Sequence, residues 1–210
     1  MIERSPEPVV FFHLFKCGGT SVIQRLRRCV PRGRFLHVRE PKALAAALIE
    51  RPEEIARYRA IAGHLDIRVL AEHFAGARWT TVLRDPVDRM LSQYHHFRRA
   101  AATPGDAGTE GHRFRAAFCA EHDLAAFVES DDPRIVVYTR NFMARKLAGW
   151  PATRDDEDGL LAAALDRLAG FAAVGTTDTL DTEFLPAIER LAAGRRRLAL
   201  PARRANVSPT

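Results

Sequence analysis

The sequence predicts an α/β fold in which a parallel sheet is flanked by helices. Short apolar runs rich in β-branched and aromatic residues recur along the chain, and helical patterns separate them. The first of these runs ends in glycines that open a helix, which is the first unit of a P-loop-like, doubly wound sheet. A chain of 210 residues is long enough for a buried core, and a single domain over 1–210 is expected.

The elements follow from these patterns. Strands are predicted at 9–14, 34–38, 59–63, 79–83 and 171–175. Helices are predicted from 20, from 41 with an interruption near Pro52, at 67–74, after Asp85, through most of 124–168, and at 181–193. Turn-rich residues at about 101–111 predict a mobile loop, and about 194–210 is expected to form a basic C-terminal tail.

Composition restricts the classes of function. The net charge of +6 suits an anionic ligand. The three cysteines, Cys17, Cys29 and Cys119, show no metal-ligand spacing and predict free thiols in a reducing compartment. There is no apolar run of about 18 residues and no signal-peptide pattern, so we expect a cytoplasmic protein without an integral membrane segment. No bound metal is expected, and the sequence leaves the oligomeric state open.

The first motif joins the first predicted strand to its helix. A helix start with glycines brings backbone N–H groups close to a phosphate, and lysine and hydroxyl side chains add charge and donors. A Walker A loop has its lysine after the glycines, whereas here the lysine precedes them, and Ile23 occupies the position where a cysteine phosphatase needs arginine. The alternative is an ordinary tight turn with a solvent-facing lysine. The motif reads His13-Leu14-Phe15-Lys16-Cys17-Gly18-Gly19-Thr20-Ser21.

The second motif follows the strand predicted at 79–83. Arg84 stands at the carboxyl end of that strand, where open α/β sheets bind ligands, and its guanidinium can grip a phosphate bidentately. Ser92 lies two turns into the next predicted helix and can donate a hydroxyl to the same group. The alternative is that Arg84 pairs with Asp85 or Asp88 and only stabilises the helix start.

Together the two motifs resemble those of sulfotransferases that use 3′-phosphoadenosine-5′-phosphosulfate (PAPS), of the heparan-sulfate 2-O and 6-O type with their bacterial relatives. The family's first motif is similar to His-x-Pro-Lys-Thr-Gly-Gly-Thr-Ser, from which this chain departs at Phe15 and Cys17. Its second is similar to Leu-Arg-Asp-Pro-Val-x-Arg-x-Leu-Ser-x-Tyr, which the chain matches throughout 83–94. Weaker similarities at 139–149, 174–177 and 206–208 extend the resemblance over nearly the whole chain.

The resemblance implies the sulfotransferase fold and transfer of a sulfuryl group from PAPS to an acceptor hydroxyl, with 3′-phosphoadenosine-5′-phosphate (PAP) as product. It assigns the 3′-phosphate to Arg84 and Ser92. By analogy with phosphoryl transfer, Lys16 is expected to be catalytic, bonding the bridging oxygen of the leaving 5′-phosphate. Since backbone N–H groups do most of the cradling, donor binding is expected to survive both departures. The residues expected to bind the 5′-phosphosulfate are Lys16, Cys17, Gly18, Gly19, Thr20 and Ser21.

His64 is the candidate catalytic base. It follows a short apolar strand in an Ala62-Gly63-His64 segment, and in the 2-O and 6-O enzymes a histidine in a similar Gly-His segment takes that role. An imidazole with a pKa near 6.5 suits removal of a hydroxyl proton. The alternatives are that His64 caps the following helix or packs in the core.

Two other functions stay open at this point. A Mg²⁺-dependent nucleotide or sugar kinase would need an acidic strand end, for which Asp85 is available, although the Walker A order is missing. A nucleic-acid-binding protein would fit the charge and the arginine-rich tail, but no recognised binding module is present and no nucleic-acid partner is expected. The acceptor is not readable; an oligosaccharide, a glycolipid and a small metabolite are all compatible.

Overall fold

The computed structural model describes residues 7–39, 41–68, 73–103, 108–151 and 156–193. The predicted tail at 194–210 lies outside these ranges, as do 69–72 of the helix predicted at 67–74 and 104–107 of the predicted loop. Within the described residues, no helix combines the length and the apolar character that crossing a membrane requires.

One sheet of five parallel strands is present in the described part of the chain. Its strands lie in the order β2-β3-β1-β4-β5, and every pairing is parallel. This arrangement, with its flanking helices, confirms the predicted α/β fold. The strands are β1 (Val9–Phe12), β2 (Phe35–Val38), β3 (Ala60–Gly63), β4 (Arg78–Leu83) and β5 (Ala173–Thr176).

The chain forms two compact units, one from 1–83 with 165–210 and one from 84–164. The first contains the sheet with α1 (Gly19–Cys29), α2 (Pro41–Glu50), α3 (Pro52–Ala56), a π-helical turn (Leu180–Phe184) and α10 (Leu185–Ala193). The second contains α4 (Pro86–Ala101), α5 (Glu110–Glu121), α6 (Leu124–Glu129), α7 (Pro133–Thr139) and α8 (Phe142–Ala148). The chain passes from the first unit to the second between Leu83 and Arg84, and it returns to the first unit within α9 (Glu157–Ala169).

The first unit is built around its central strand. All four residues of β1 are fully buried, as expected for a strand covered on both faces. Val22 and Leu26 of α1 and Ile188 of α10 belong to the same core cluster on one face of the sheet. The two helices are also joined by a buried ion pair, with Arg25 Nη1 2.5 Å from Glu189 Oε1. This packing holds the start of α1 against the carboxyl end of β1.

The second unit has a separate aromatic core on α4, α5, α6 and α7. Helix α4 begins directly after Asp85, as predicted, and Asp85 caps it: its Oδ1 accepts the backbone N–H groups of Val87 at 2.9 Å and Asp88 at 3.0 Å. Pro86 occupies the first helical position, where its missing N–H costs nothing. The buried members of the core are Tyr94, Phe97, Cys119, Phe127 and Ile135.

Two helical segments differ from the prediction. The segment expected as a loop at 101–111 is helical at both ends, because α4 continues to Ala101 and α5 begins at Glu110 behind the capping hydroxyl of Thr109. The helix expected at 181–193 begins one residue earlier, as a π-helical turn whose Phe184 is buried in the core of the first unit.

Candidate active site

Two of the predicted site segments leave the sheet side by side in the first unit. Phe12 at the end of β1 is paired with Gly63 at the end of β3, so the next residue of each strand, His13 and His64, emerges at the same edge. The backbone N–H of His13 donates to the carbonyl of Gly63 at 3.0 Å. Gly63 itself is required, because a β-carbon there would lie 2.2 Å from the carbonyl oxygen of Val38.

The imidazole of His64 lies between two other rings. On one side its centroid is 3.7 Å from that of Phe15 with the planes 17° apart, and on the other 4.2 Å from that of His13 with the planes 27° apart. The ring of His13 also stacks on Phe11, at 5.7 Å. We call Phe15, His64 and His13 the ring stack.

A hydrogen bond fixes the proton of His64. Its Nδ1 is 2.8 Å from the backbone oxygen of His13. A carbonyl oxygen only accepts, so Nδ1 must carry the proton, and in the neutral ring Nε2 is then the basic nitrogen. This is the tautomer that general-base catalysis through Nε2 requires.

His13 remains neutral beside His64. The pKa of His13 is lowered from 6.5 to about 3, mainly by burial and then by electrostatic interaction with His64, His37 and Lys16, in that order of importance. The dependence of this pKa on Lys16 also means that the lysine lies within electrostatic range of the ring stack. The predicted base and the predicted catalytic lysine are therefore together in the first unit.

The turn between β1 and α1 has an unusual backbone. Lys16 and Gly18 both have left-handed conformations, with φ values of 66° and 72°. Such a conformation is uncommon for a residue with a side chain, and it is found where a turn presents backbone N–H groups to an anion. Cys17 is buried, and its Sγ is 3.5 Å from the carbonyl oxygen of Phe15.

The start of α1 has the features of an anion site. Gly18 is the N-cap residue and provides no side-chain cap, and the first turn contains no acidic residue. The positive end of the helix dipole is therefore not neutralised within its own first turn. Thr20 is exposed and Ser21 is buried, so of the two hydroxyl groups that of Thr20 is the one at the surface.

The second motif lies in the second unit, where its two arginines differ. Arg84 is half-buried and directly follows β4, and Ser92 is half-buried on α4. Arg89 is only 2% exposed: it donates to the backbone oxygen of Tyr138, and its guanidinium carbon lies 4.5 Å from the centre of the Phe142 ring. Arg89 therefore stabilises the core of the second unit, whereas Arg84 is only half-buried.

Over the described residues, no group of three or more His, Cys, Asp or Glu side chains is arranged to hold a metal ion. Cys29 and Cys119 are buried free thiols, and burial raises the pKa of each to about 11. Both are therefore protonated and unreactive at neutral pH.

The site also contains His13 and Phe15, which are not among the predicted site residues. Both residues stand in the first motif, where Phe15 departs from the family pattern, but the sequence predicts no role for either ring. Strand β3 pairs with β1, and this pairing brings His64 between the rings of His13 and Phe15. No local sequence pattern predicts such a contact between distant residues. The signal available in the sequence was the close succession of His13, Phe15 and two glycines at the end of an apolar strand.

A family model described as "Sulfotransferase domain" matches residues 16–147, which is more than half of the chain. The match begins at Lys16 and includes His64, Arg84 and Ser92. Among curated proteins, none matches this chain.

Proposed function

This chain belongs to the sulfotransferase domain family, and from that premise we propose that it transfers a sulfuryl group from PAPS to the hydroxyl of an acceptor, releasing PAP. Family membership supports sulfuryl transfer as the reaction. The choice of PAPS as donor rests on the two motifs, each of which suits one phosphate position of that molecule.

One observation carries the proposal. Nδ1 of His64 is 2.8 Å from the backbone oxygen of His13, which stands three residues before Lys16 in the turn that opens α1. From this contact we infer that a group able to remove a proton and a group able to stabilise a leaving anion act together in the first unit. Transfer of a sulfuryl group to a hydroxyl needs both groups.

In the proposed step, Nε2 of His64 accepts the acceptor's hydroxyl proton while the acceptor oxygen forms a bond to sulfur. The bond between sulfur and the bridging oxygen of the 5′-phosphosulfate breaks, and its electron pair stays on that oxygen. The ammonium of Lys16 stabilises the charge that develops there. The products are the sulfated acceptor, PAP and a protonated His64, which returns its proton to solvent.

Each of the two motifs is proposed to bind one phosphate group of the donor. The backbone N–H groups of 17–21 and the side chain of Lys16 hold the 5′-phosphosulfate, and Thr20 adds an exposed hydroxyl. Arg84 and Ser92 hold the 3′-phosphate, which distinguishes PAPS from adenylyl sulfate. The buried thiol of Cys17 packs inward, so this departure from the family threonine removes a donor without placing bulk against the phosphate.

Calorimetric titration with PAP tests the donor assignment. We expect wild-type protein to bind PAP, and Arg84→Ala to weaken binding by about tenfold or more, because a charge-assisted contact to phosphate is lost. Arg99→Ala is the matched control, since Arg99 is exposed on α4 and lies outside the motif. Absence of PAP binding by the wild type, or binding of ATP with Mg²⁺ in its place, contradicts the proposal.

The acceptor is proposed to be a saccharide, a glycolipid or a small hydroxylated metabolite. A saccharide acceptor is suggested by the resemblance to the 2-O and 6-O enzymes, and it stays a prediction. Transfer from radiolabelled PAPS to oligosaccharide, glycolipid and phenol panels separates these classes. If the His64→Ala variant transferred labelled sulfate to the acceptor at the wild-type rate, His64 could not be the catalytic base.

A further inference from the structure

We propose that Phe15 and His13 are positioning residues that hold His64 with Nδ1 protonated and Nε2 as the basic nitrogen. This inference rests on the proposed role of His64 as the base. It goes beyond that role because it assigns a task to Phe15, which replaces the proline of the family motif, and to a second histidine.

The stack restrains the orientation of the His64 ring. Both faces are covered, by Phe15 at 3.7 Å and by His13 at 4.2 Å between centroids. Rotation about the Cβ–Cγ bond would sweep the imidazole through the space that these two rings occupy. A half-turn about that bond would also replace Nδ1 by carbon at the carbonyl of His13, and the 2.8 Å hydrogen bond would be lost.

His13 is in turn held from behind. A β-carbon at Gly19 would lie 1.9 Å from Cδ2 and Nε2 of His13, so the ring of His13 lies directly on the backbone at the start of α1. Its other neighbour is Phe11, whose ring centroid is 5.7 Å away. His13 thus contributes two separate supports to His64, a stacked ring and a carbonyl acceptor.

The same contacts favour the protonated form of His64 as the proton arrives. The Nδ1–H···O hydrogen bond becomes charge-assisted in the imidazolium, and the aromatic face of Phe15 attracts a cation. The other titratable groups that act on His13 are His37 and Lys16, and burial keeps His13 itself neutral. His13 therefore supports the base without competing for the proton.

The direct test measures the tautomer of His64 by long-range ¹H–¹⁵N correlation in the protein without acceptor. We expect a protonated Nδ1 and an unprotonated Nε2 in the wild type at pH above the pKa of His64, and a mixture of tautomers in Phe15→Leu. Phe15→Tyr keeps a flat ring and should restore the wild-type spectrum. A protonated Nε2 in the wild type, or an unchanged spectrum in Phe15→Leu, overturns the proposal.

Kinetics provide the second measurement. Phe15→Leu should lower kcat roughly tenfold to a hundredfold with little change in the KM for PAPS, because misorientation of the base leaves donor binding intact. Phe15→Tyr should recover most of kcat. His13→Phe, which retains a ring, should be milder than His13→Ala, and both variants keep the backbone carbonyl. A loss in Phe15→Leu that appears only in KM, or that Phe15→Tyr fails to recover, contradicts a positioning role.

The failure of this inference is distinguishable from failure of the proposed function. If His64→Ala turns over normally, His64 is not the base and the proposed mechanism falls, whatever the tautomer. If His64→Ala is inactive but Phe15→Leu has the wild-type kcat, pH profile and tautomer, only the positioning proposal falls. Thermal unfolding of each variant confirms that the compared proteins are folded.

Discussion

Gly19 and the imidazole of His13 are in such close contact that a single methyl group at Gly19 would lie 1.9 Å from two ring atoms. The glycine at the start of α1 therefore does more than open a phosphate-binding turn. It provides the surface on which His13 rests, and the backbone carbonyl of His13 holds His64. A substitution in the turn between β1 and α1 should therefore also change the position of the imidazole of His64.

Gly19→Ala should lower the free energy of unfolding by about 1 to 3 kcal/mol, the usual range for adding atoms to a packed site. In a His13→Ala background most of this cost should disappear, because the clashing ring is gone. Urea unfolding of the two single variants and the double variant measures the coupling. Gly170→Ala is the control, since a β-carbon there meets only the backbone oxygen of Arg167, at 3.6 Å. Equal costs of Gly19→Ala in both backgrounds would contradict the contact.

Lys16→Ala should reduce the rate of sulfuryl transfer on the order of 10²-fold or more, as removal of other electrostatic groups at a reacting centre does. The loss should appear in kcat, since the charge acts on the leaving oxygen as it develops. Lys146→Ala, which changes an exposed lysine on α8, provides the matched control. Normal turnover by Lys16→Ala would exclude the lysine from the reaction.

The two arginines of the second motif should respond oppositely to substitution. Arg89→Met should destabilise the protein by about 2 to 3 kcal/mol, because a buried charge-assisted hydrogen bond and a ring contact are lost. Arg84→Ala should change stability by less than about 1 kcal/mol while weakening PAP binding. Chemical unfolding and calorimetry on the same preparations separate the two effects. A reversal of this order would mean that Arg84 has the structural role.

Acid should destabilise the protein through His13. Its pKa is lowered in the folded state to about 3, so between pH 6.5 and 3 the unfolded chain binds a proton that the folded chain does not. The contribution of His13 to the free energy of unfolding is fully present above pH 6.5. Below that pH it decreases by up to about 1.4 kcal/mol per pH unit. His13→Phe removes the titration and keeps a ring, so the difference between the two unfolding curves should be flat above pH 6.5 and slope below it. A constant difference over the whole range would contradict a buried neutral His13.

The strands of the sheet could be predicted from the sequence more completely than the helices and side-chain contacts around it. The strands were predicted because a central parallel strand such as β1 is apolar at every position. The start of the helix after Asp85 was predicted because the signals that start a helix are local. Helix α5 was hidden because its residues follow no clear apolar period; Arg115 of α5 lies over the rings of Phe97 and Tyr138, at 5.6 Å and 4.8 Å, and such contacts appear only after folding.

In the candidate site, too, residues within motifs could be predicted, whereas contacts between distant segments could not. Lys16, His64 and Arg84 were predicted because motifs fix their identities, whereas the support of His64 depends on the pairing of β1 with β3. The cytoplasmic location and the extent of a single domain stay predictions from the sequence.

The first unit is discontinuous, because β5 and α10 come from the end of the chain while the strand that β5 pairs with, β4, ends at Leu83. During synthesis on the ribosome, β1 to β4 emerge first, and the whole of 84–164 follows before the last strand is available. The backbone N–H and C=O groups on the outer edge of β4 therefore stay unpaired until β5 is synthesised. An unpaired strand edge can form β-sheet hydrogen bonds with other chains and lead to aggregation. A nascent chain that stalls before 173 would expose that edge and should be the form of this protein most dependent on chaperones.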